Sequence, residues 1–228
     1  MSESNDFETT ERNQLKRVAK RGHYDRETIY GCLDAAWVCH VAIQTKAGPT
    51  VIPMLHARMG DQLLIHGATS SRLMKHLGSG EPVSITTTVV DGLVLARSLF
   101  HHSMNYRSVV LFGSGTLLEC EDAKTQALKA ISDKVMPGRW RDARAPNVQE
   151  LKATAVVAVS LESASAKIRS GGPVDDDQDM ELNVWAGQIP IREMMASPIQ
   201  DPVQDKAIGL PEYVKQFIQQ RDSDPCRK

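Results

Sequence analysis

One stretch limits what this chain can fold into: Leu63-Leu64-Ile65-His66-Gly67-Ala68-Thr69-Ser70-Ser71-Arg72-Leu73-Met74-Lys75-His76-Leu77. Leu63 to Ile65 is an apolar run just after the turn residues Gly60-Asp61, and it predicts a strand. Gly67 frees the backbone, and Ser70 or Ser71 suits the N-cap of a following turn. Leu73, Met74 and Leu77 recur at helical spacing. The order is strand, small polar loop, helix start, with Arg72 in the first turn. A helix start offers open N–H groups, and a guanidinium adds a planar donor fork, so these are the parts of a phosphate site. The same residues also fit a plain strand-to-helix connection with a solvated Arg72.

The rest of the chain predicts more short strands. Asp25 caps a helix to about Asp34, with Ile29 and Leu33 one turn apart. Trp37 to Ile43 and Thr50 to Arg58 read as a hairpin around Ala47-Gly48-Pro49, and with Leu63 to Ile65 as a three-strand meander. Pro53 cannot donate to a ladder, which places it at an edge, a bulge or an opening beside a ligand. Val83 to Val90 and Leu93 to Phe100 read as a second hairpin around Asp91-Gly92. Val109 to Phe112 continues to Thr116, with Gly113 and Gly115 marking a bulge or a close approach. Asp122 opens a helix with the apolar face Ala127, Leu128, Ile131 and Val135, ended by Met136-Pro137-Gly138. Thr154 to Ser160 is a strand, and from Ala166 the chain is expected to loosen. The acidic run around Asp175-Asp176-Asp177 reads as a solvated loop, and residues 211–220 as a last helix. Residues 1–20, polar with Lys16, Arg17, Lys20 and Arg21 towards the end, read as a mobile arm. Residues 21–228 read as one domain. Many short strands with helices at the flanks predict an α+β, mainly β, barrel.

Charge and cysteine use narrow the function. A net charge of −1 gives no reason to expect nucleic acid or an anionic membrane as partner. No run of 18 apolar residues and no signal-peptide pattern is found. Cys32, Cys39, Cys120 and Cys226 form no C-x-x-C pair, which favours reduced thiols and a cytoplasmic protein. The seven His lack metal-site spacing, so no metal centre is expected. G-x-S-x-G, G-x-G-x-x-G and P-loop patterns are absent. An anion site remains, and Asn105-Tyr106-Arg107-Ser108 supplies a candidate second half. Arg107 lies between an aromatic ring and a hydroxyl, although a surface ion pair would account for it equally. In a chain with 5% aromatics, Tyr106 and Trp185 stand out as flat walls for a planar ligand.

These residues resemble the FMN-binding split-barrel superfamily, in particular flavin-binding proteins related to pyridoxamine 5′-phosphate oxidase and to nitroimidazole-resistance proteins. The likeness runs from about Arg21 to Pro202. It is carried by Arg21-Gly22-His23-Tyr24-Asp25, Val51-Ile52-Pro53, Ile65-His66-Gly67-Ala68 with Ser71-Arg72, and Asp91-Gly92-Leu93-Val94-Leu95-Ala96-Arg97. Asn105-Tyr106-Arg107-Ser108-Val109 with Phe112-Gly113, Pro137-Gly138-Arg139-Trp140, and Trp185-Ala186-Gly187 with Pro190 complete it. The resemblance implies a homodimer of six-stranded split barrels with two flavins between the subunits. It places the flavin phosphate at His66, Gly67, Ala68, Ser70, Ser71 and Arg72, and the ring against Pro53 and Met54. It takes Tyr106, Arg107, Ser108 and Val109 from the partner, and Trp185 as a closing element. One departure matters: the oxidases carry a Lys where this chain has Leu73. Their substrate-phosphate residues are also not evident near the C-terminus, which speaks against pyridoxamine-phosphate oxidation itself.

The expected function is an FMN-dependent oxidoreductase acting on a small molecule, with His66 as the one candidate for proton transfer. A non-catalytic flavin-binding module is the alternative, with FAD in place of FMN left open. Haem binding or degradation is the third reading.

Overall fold

The computed structural model describes residues 6–223, so Met1 to Asn5 and Cys226 lie outside the described residues. The chain runs β1 (Gly22–His23), α1 (Arg26–Ala35), β2 (Val38–Thr45), β3 (Gly48–Leu55), β4 (Ala57–Met59), β5 (Gln62–Ala68), α2 (Arg72–Gly78) and β6 (Pro82–Leu95). It continues with β7 (Ser103–Leu117), α3 (Glu121–Val135), α4 (Arg139–Asp142), α5 (Val148–Ala153), β8 (Thr154–Ser160), β9 (Ser163–Arg169), β10 (Gly187–Pro190) and α6 (Glu212–Ser223). All strand pairs are antiparallel, in the order β3-β2-β6-β7-β8-β5-β4, with β9 on β7, β1 on β9 and β10 on β6. The architecture is that of an open split barrel, with ten strands among the described residues where six were expected. None of the described helices is long and apolar enough to cross a membrane.

The split occurs at two glycines of β7. Residues Tyr106 to Phe112 pair with β9, and Gly115 to Leu117 pair with β8. A side chain on Gly113 would run into the Ser160 carbonyl oxygen, and one on Gly115 into that of Leu77. Bare backbone is therefore what lets β8 and α2 close onto the same strand. The close approach expected at this point is present.

α1 shows how sequence sets local structure. The Asp25 carboxylate accepts from the Thr28 N–H at 2.8 Å, the expected cap. Ile29, Cys32 and Leu33 then fall on one face and are buried. Ile29 and Leu33 are fully enclosed in the main core with Leu63, Ile65, Leu77, Ile85 and Leu111, each contributing about 2 kcal/mol by burial. Leu64, Ala127, Ile131, Val156 and Ala158 form a second core under α3.

Several expectations are corrected. Asp91-Gly92 does not turn a hairpin, because β6 runs straight through it with a bulge between Val90 and Gly92. Arg107 of β7 takes the Asp91 carboxylate, and Gly92 leaves room for the Ile189 carbonyl of β10. The three-strand meander fails because β5 pairs with β4 and β8 rather than β3. The chain changes partners at His56, whose Nε2 donates to the Leu33 carbonyl at 3.0 Å. The chain does not loosen at Ala166, which lies inside β9 (Ser163–Arg169); small Ser and Ala side chains hid a strand buried by its neighbours. Asp122 sits inside the first turn of α3, whose N-cap is Cys120. The acidic run is not all solvated: Asp175 is enclosed and bonded to Arg97 Nη1 at 3.0 Å and to the backbone N–H groups of Arg97 and Ser98. Asp176 and Asp179 bring potential ligand atoms within 4.8 Å of one on His101, a grouping the sequence did not suggest.

The segment expected as a mobile arm lies against the sheet from Asp6 onward. Phe7 is in the core, and the buried Asn13 donates to the Glu8 and Ala164 carbonyls. One aromatic and one amide, in an otherwise polar stretch, suffice to seat it.

Candidate functional site

The strand-loop-helix is present as expected. β5 carries His66, Gly67 and Ala68 to its end, paired with Val156, Ala155 and Thr154. The Thr69 N–H bonds to the Ala153 carbonyl at 3.0 Å and the Ser71 N–H to that of Ala68 at 2.9 Å, which holds the loop tight. Gly67 lets α2 fold back, since a Cβ there would stand 3.0 Å from Met74 Cγ. Buried Leu73, Met74 and Leu77 anchor the helix. Ser71 occupies the N-cap position, but its hydroxyl makes no capping bond, so the first-turn N–H groups stay open. Ser70 and Arg72 are exposed, and Arg72 forms no ion pair among the described residues. An open turn with an unengaged guanidinium is suited to an oxyanion.

His66 points away from the main core, on the α3 side of β5. It lines an open cleft of about 490 Å³ with Leu55, Leu128, Ile131, Val135 and Trp140. Burial pushes its imidazole below the ordinary value, so the ring is neutral at neutral pH. Its Nδ1 is buried with no partner among the described residues. This wall of the cleft was not foreseen, because Leu128, Ile131 and Val135 read simply as the buried face of a helix. Its one sequence signal was Trp140, in the Pro137-Gly138-Arg139-Trp140 motif.

The alternation of strands divides the remaining candidates. Pro53 pairs with His40, His40 with Thr86, and Thr86 with Val110, so these four share the outward face of the sheet. Tyr106 and Ser108 fall on that face too, whereas Arg107 and Val109 face the other way. Val109 is fully enclosed in the main core, and Met54 packs against the same core. Neither Val109 nor Met54 turns its side chain to the outward face. Arg107 is engaged by Asp91, with Nε to Oδ2 at 3.0 Å and Nη2 to Oδ1 at 2.8 Å. It also stands eight residues along β7 from Gly115, roughly 26 Å of strand from where α2 packs. Within one chain, then, Arg107 and Arg72 do not form one anion site. β3 ends the sheet order, which gives Pro53 its expected edge position. Leu55, on the same face two residues later, carries that face into the cleft beside His66. Trp185 is 64% exposed, with its ring edge over Gly187, and is not part of the cleft.

The family model described as pyridoxamine 5′-phosphate oxidase matches residues 25–168. No curated protein sequence matches the chain. Among solved structures, flavocytochrome Anf3 from Azotobacter vinelandii is similar over 91% of this chain and 96% of its own, with 36% identity and a TM-score of 0.86. The FAD and heme binding protein from Mycobacterium smegmatis is similar over 87% of this chain and 97% of its own, with 34% identity and a TM-score of 0.83. A Bacteroides thetaiotaomicron protein named for 5-nitroimidazole antibiotic resistance shares the fold, with 22% identity and a TM-score of 0.55 over 64% of this chain and 86% of its own.

Proposed function

The chain belongs to the pyridoxamine 5′-phosphate oxidase family, and on that premise we propose that it binds a flavin and uses it for electron transfer to or from a small molecule. The observation that carries this reading is the open first turn of α2 with the unengaged Arg72, next to an apolar cleft whose inner wall holds a neutral His66. Ser70, Ser71, Arg72 and the open N–H groups would hold the phosphate. Pro53, Leu55 and His66 would meet the ring, with Tyr106, Ser108 and Trp185 contributed by a second copy. A bound flavin supplies the hydride or electron transfer. The chain's part is to exclude water with Leu128, Ile131 and Trp140 and to offer an imidazole nitrogen for a proton at His66 Nδ1. Met54, Arg107 and Val109 support the sheet in this reading. FMN is what the general resemblance implies; the 34% identical relative is named for FAD, which favours the dinucleotide here.

The site is completed by a homodimer. The chain exposes 14468 Å², against roughly 10,000 Å² for a compact monomer of 25.1 kDa. The excess leaves more than enough surface on each chain for its half of an obligate interface, which buries roughly 2,000–5,000 Å² over both partners. Exposed Val38, Val51, Val90 and Val110 on the outward face support the same reading. Free thiols at Cys32, Cys39 and Cys120 are in keeping with the cytoplasm.

A second reading adds haem, favoured by the names of the two relatives above 30% identity and by the unpartnered imidazole nitrogen in an apolar cleft. Absorption spectra of the purified protein, with mass spectrometry of the released cofactor, test both. Flavin bands with an FAD or FMN mass support the first reading, and an added Soret band the second. A colourless protein that takes up neither flavin sinks the proposal. Failure of NADH and NADPH to reduce the bound flavin would leave a binding module without oxidoreductase activity.

A further inference from the structure

Five basic residues gather at the outer edge of β9, and none is paired with a carboxylate among the described residues. β1 lies against β9 with Gly22 opposite Lys167, which brings the 3-10 turn Ala19–Arg21 beside Arg169. Lys167 Nζ donates to the Arg17 carbonyl at 3.1 Å, so Arg17, Lys20, Arg21, Lys167 and Arg169 share one edge. Ion pairs elsewhere engage Arg26, Arg58, Arg97, Arg107 and Arg144, and none of these five.

Arg169 is the centre of the group. It is 6% exposed, and its guanidinium donates only to neutral oxygens: Asn105 Oδ1 and the Gly171 and Gly172 carbonyls. Its Nε is buried with no partner among the described residues. A guanidinium stays charged, so this is an enclosed cation without a counter-ion, and Arg21 adds a like charge beside it. The turn bearing Lys20 and Arg21 starts at Val18, whose φ of 54° is the one positive value at a non-glycine among the described residues. A β-branched residue held in that region is strained, and such strain persists where the surroundings require it. On the same outward face, Tyr106 lies opposite Arg169 and Ser108 opposite Lys167. The group is apart from the α2 turn, since β9 pairs with β7 before Gly113 and α2 packs on β7 at Gly115.

We propose that this edge is a binding site for a diphosphate group, with Arg17, Lys20, Arg21 and Lys167 as ligands and Arg169 as the buried charge behind them. Two linked phosphates present their oxygens over a longer span than one phosphate ester, which suits cations spread along β9 and the Ala19–Arg21 turn. The diphosphate would come either from a dinucleotide flavin whose first phosphate rests on α2 of the other copy, a source that rests on the flavin reading above, or from a free nucleoside diphosphate.

The test is calorimetric titration of the full chain with inorganic pyrophosphate, as purified and after removal of any flavin. Lys20→Gln/Arg21→Gln, on a surface turn, is the matched variant. Binding is expected to weaken with salt and to fall about tenfold or more in the double variant. Binding only after flavin removal identifies the flavin's own diphosphate as the natural occupant; binding in both states identifies a free nucleotide. No binding in either state, or equal binding by the variant, overturns the proposal. A protein that takes pyrophosphate but no flavin leaves this site standing and sinks the flavin reading, and the reverse result does the opposite.

Discussion

Arg107 and Asp91 are joined by two parallel hydrogen bonds that close the bulge of β6 onto β7. The guanidinium that looked like half of an anion site is a strut between neighbouring strands. Both side chains keep some contact with solvent, at 21% and 34% exposure, which limits what the pair contributes. Asp91→Asn is expected to lower stability by about 1 kcal/mol and to leave flavin content unchanged. Urea unfolding and the flavin-to-protein absorbance ratio check this together. Loss of flavin at unchanged stability would return Arg107 to the ligand.

Gly115→Ala is expected to be far more damaging. Its Cβ would overlap the Leu77 carbonyl and crowd Val157, both held by α2 and β8. Backbone on one side and core on the other cannot yield cheaply, so the cost is about 3 kcal/mol. Thermal unfolding measures it. Wild-type stability in this variant would mean that α2 does not sit on β7 as described.

Local chemistry was legible in the sequence, and partner choice was not. The Asp25 cap, the β5-loop-α2 unit and the boundaries of β8 follow from residues within a few positions of one another. Asp91-Gly92 carries a strong hairpin signal, yet Arg107, sixteen residues away, and β10, almost a hundred away, turn it into a bulge. β9 was hidden because Ser163, Ala164, Ser165 and Ala166 have small side chains and weak strand preference. For the site, the phosphate half could be read because its parts are contiguous. The cleft wall could not, since Leu55, Ile131 and Trp140 meet only through the second core. The split of Tyr106 and Ser108 from Arg107 and Val109 is the period of two that any strand imposes, once the strand's phase is known.

His56 makes stability depend on pH. Burial holds its imidazole below the ordinary value of 6.5, against a smaller opposing effect of its bond to the Leu33 carbonyl. The unfolded chain therefore takes up a proton before the folded one does. Stability is complete above pH 6.5 and falls as the pH drops below it, until the folded imidazole itself is protonated. His66, also shifted down, acts in the same direction. The urea midpoint should fall between about pH 7.5 and about pH 5.5, and the fall should be shallower in His56→Gln. Identical slopes in the two proteins would contradict the assignment.

Val110 tests the second copy. It is 37% exposed on the outward face, in the row with Thr86, His40 and Pro53. A charge placed there would be buried in a dimer and harmless in a monomer. Val110→Asp is expected to run as a monomer in sedimentation and to lose flavin in parallel. An unchanged sedimentation coefficient would remove this face from the interface.

Arg72 bears most directly on the account. Flavin-free wild type and Arg72→Gln are titrated with FAD and FMN, following the quenching of flavin fluorescence, with circular dichroism to confirm the fold. The account predicts that the variant keeps the wild-type spectrum and loses affinity about tenfold or more, as expected when a charge-assisted phosphate contact is removed. Equal affinity in the two proteins would contradict the phosphate site at the start of α2.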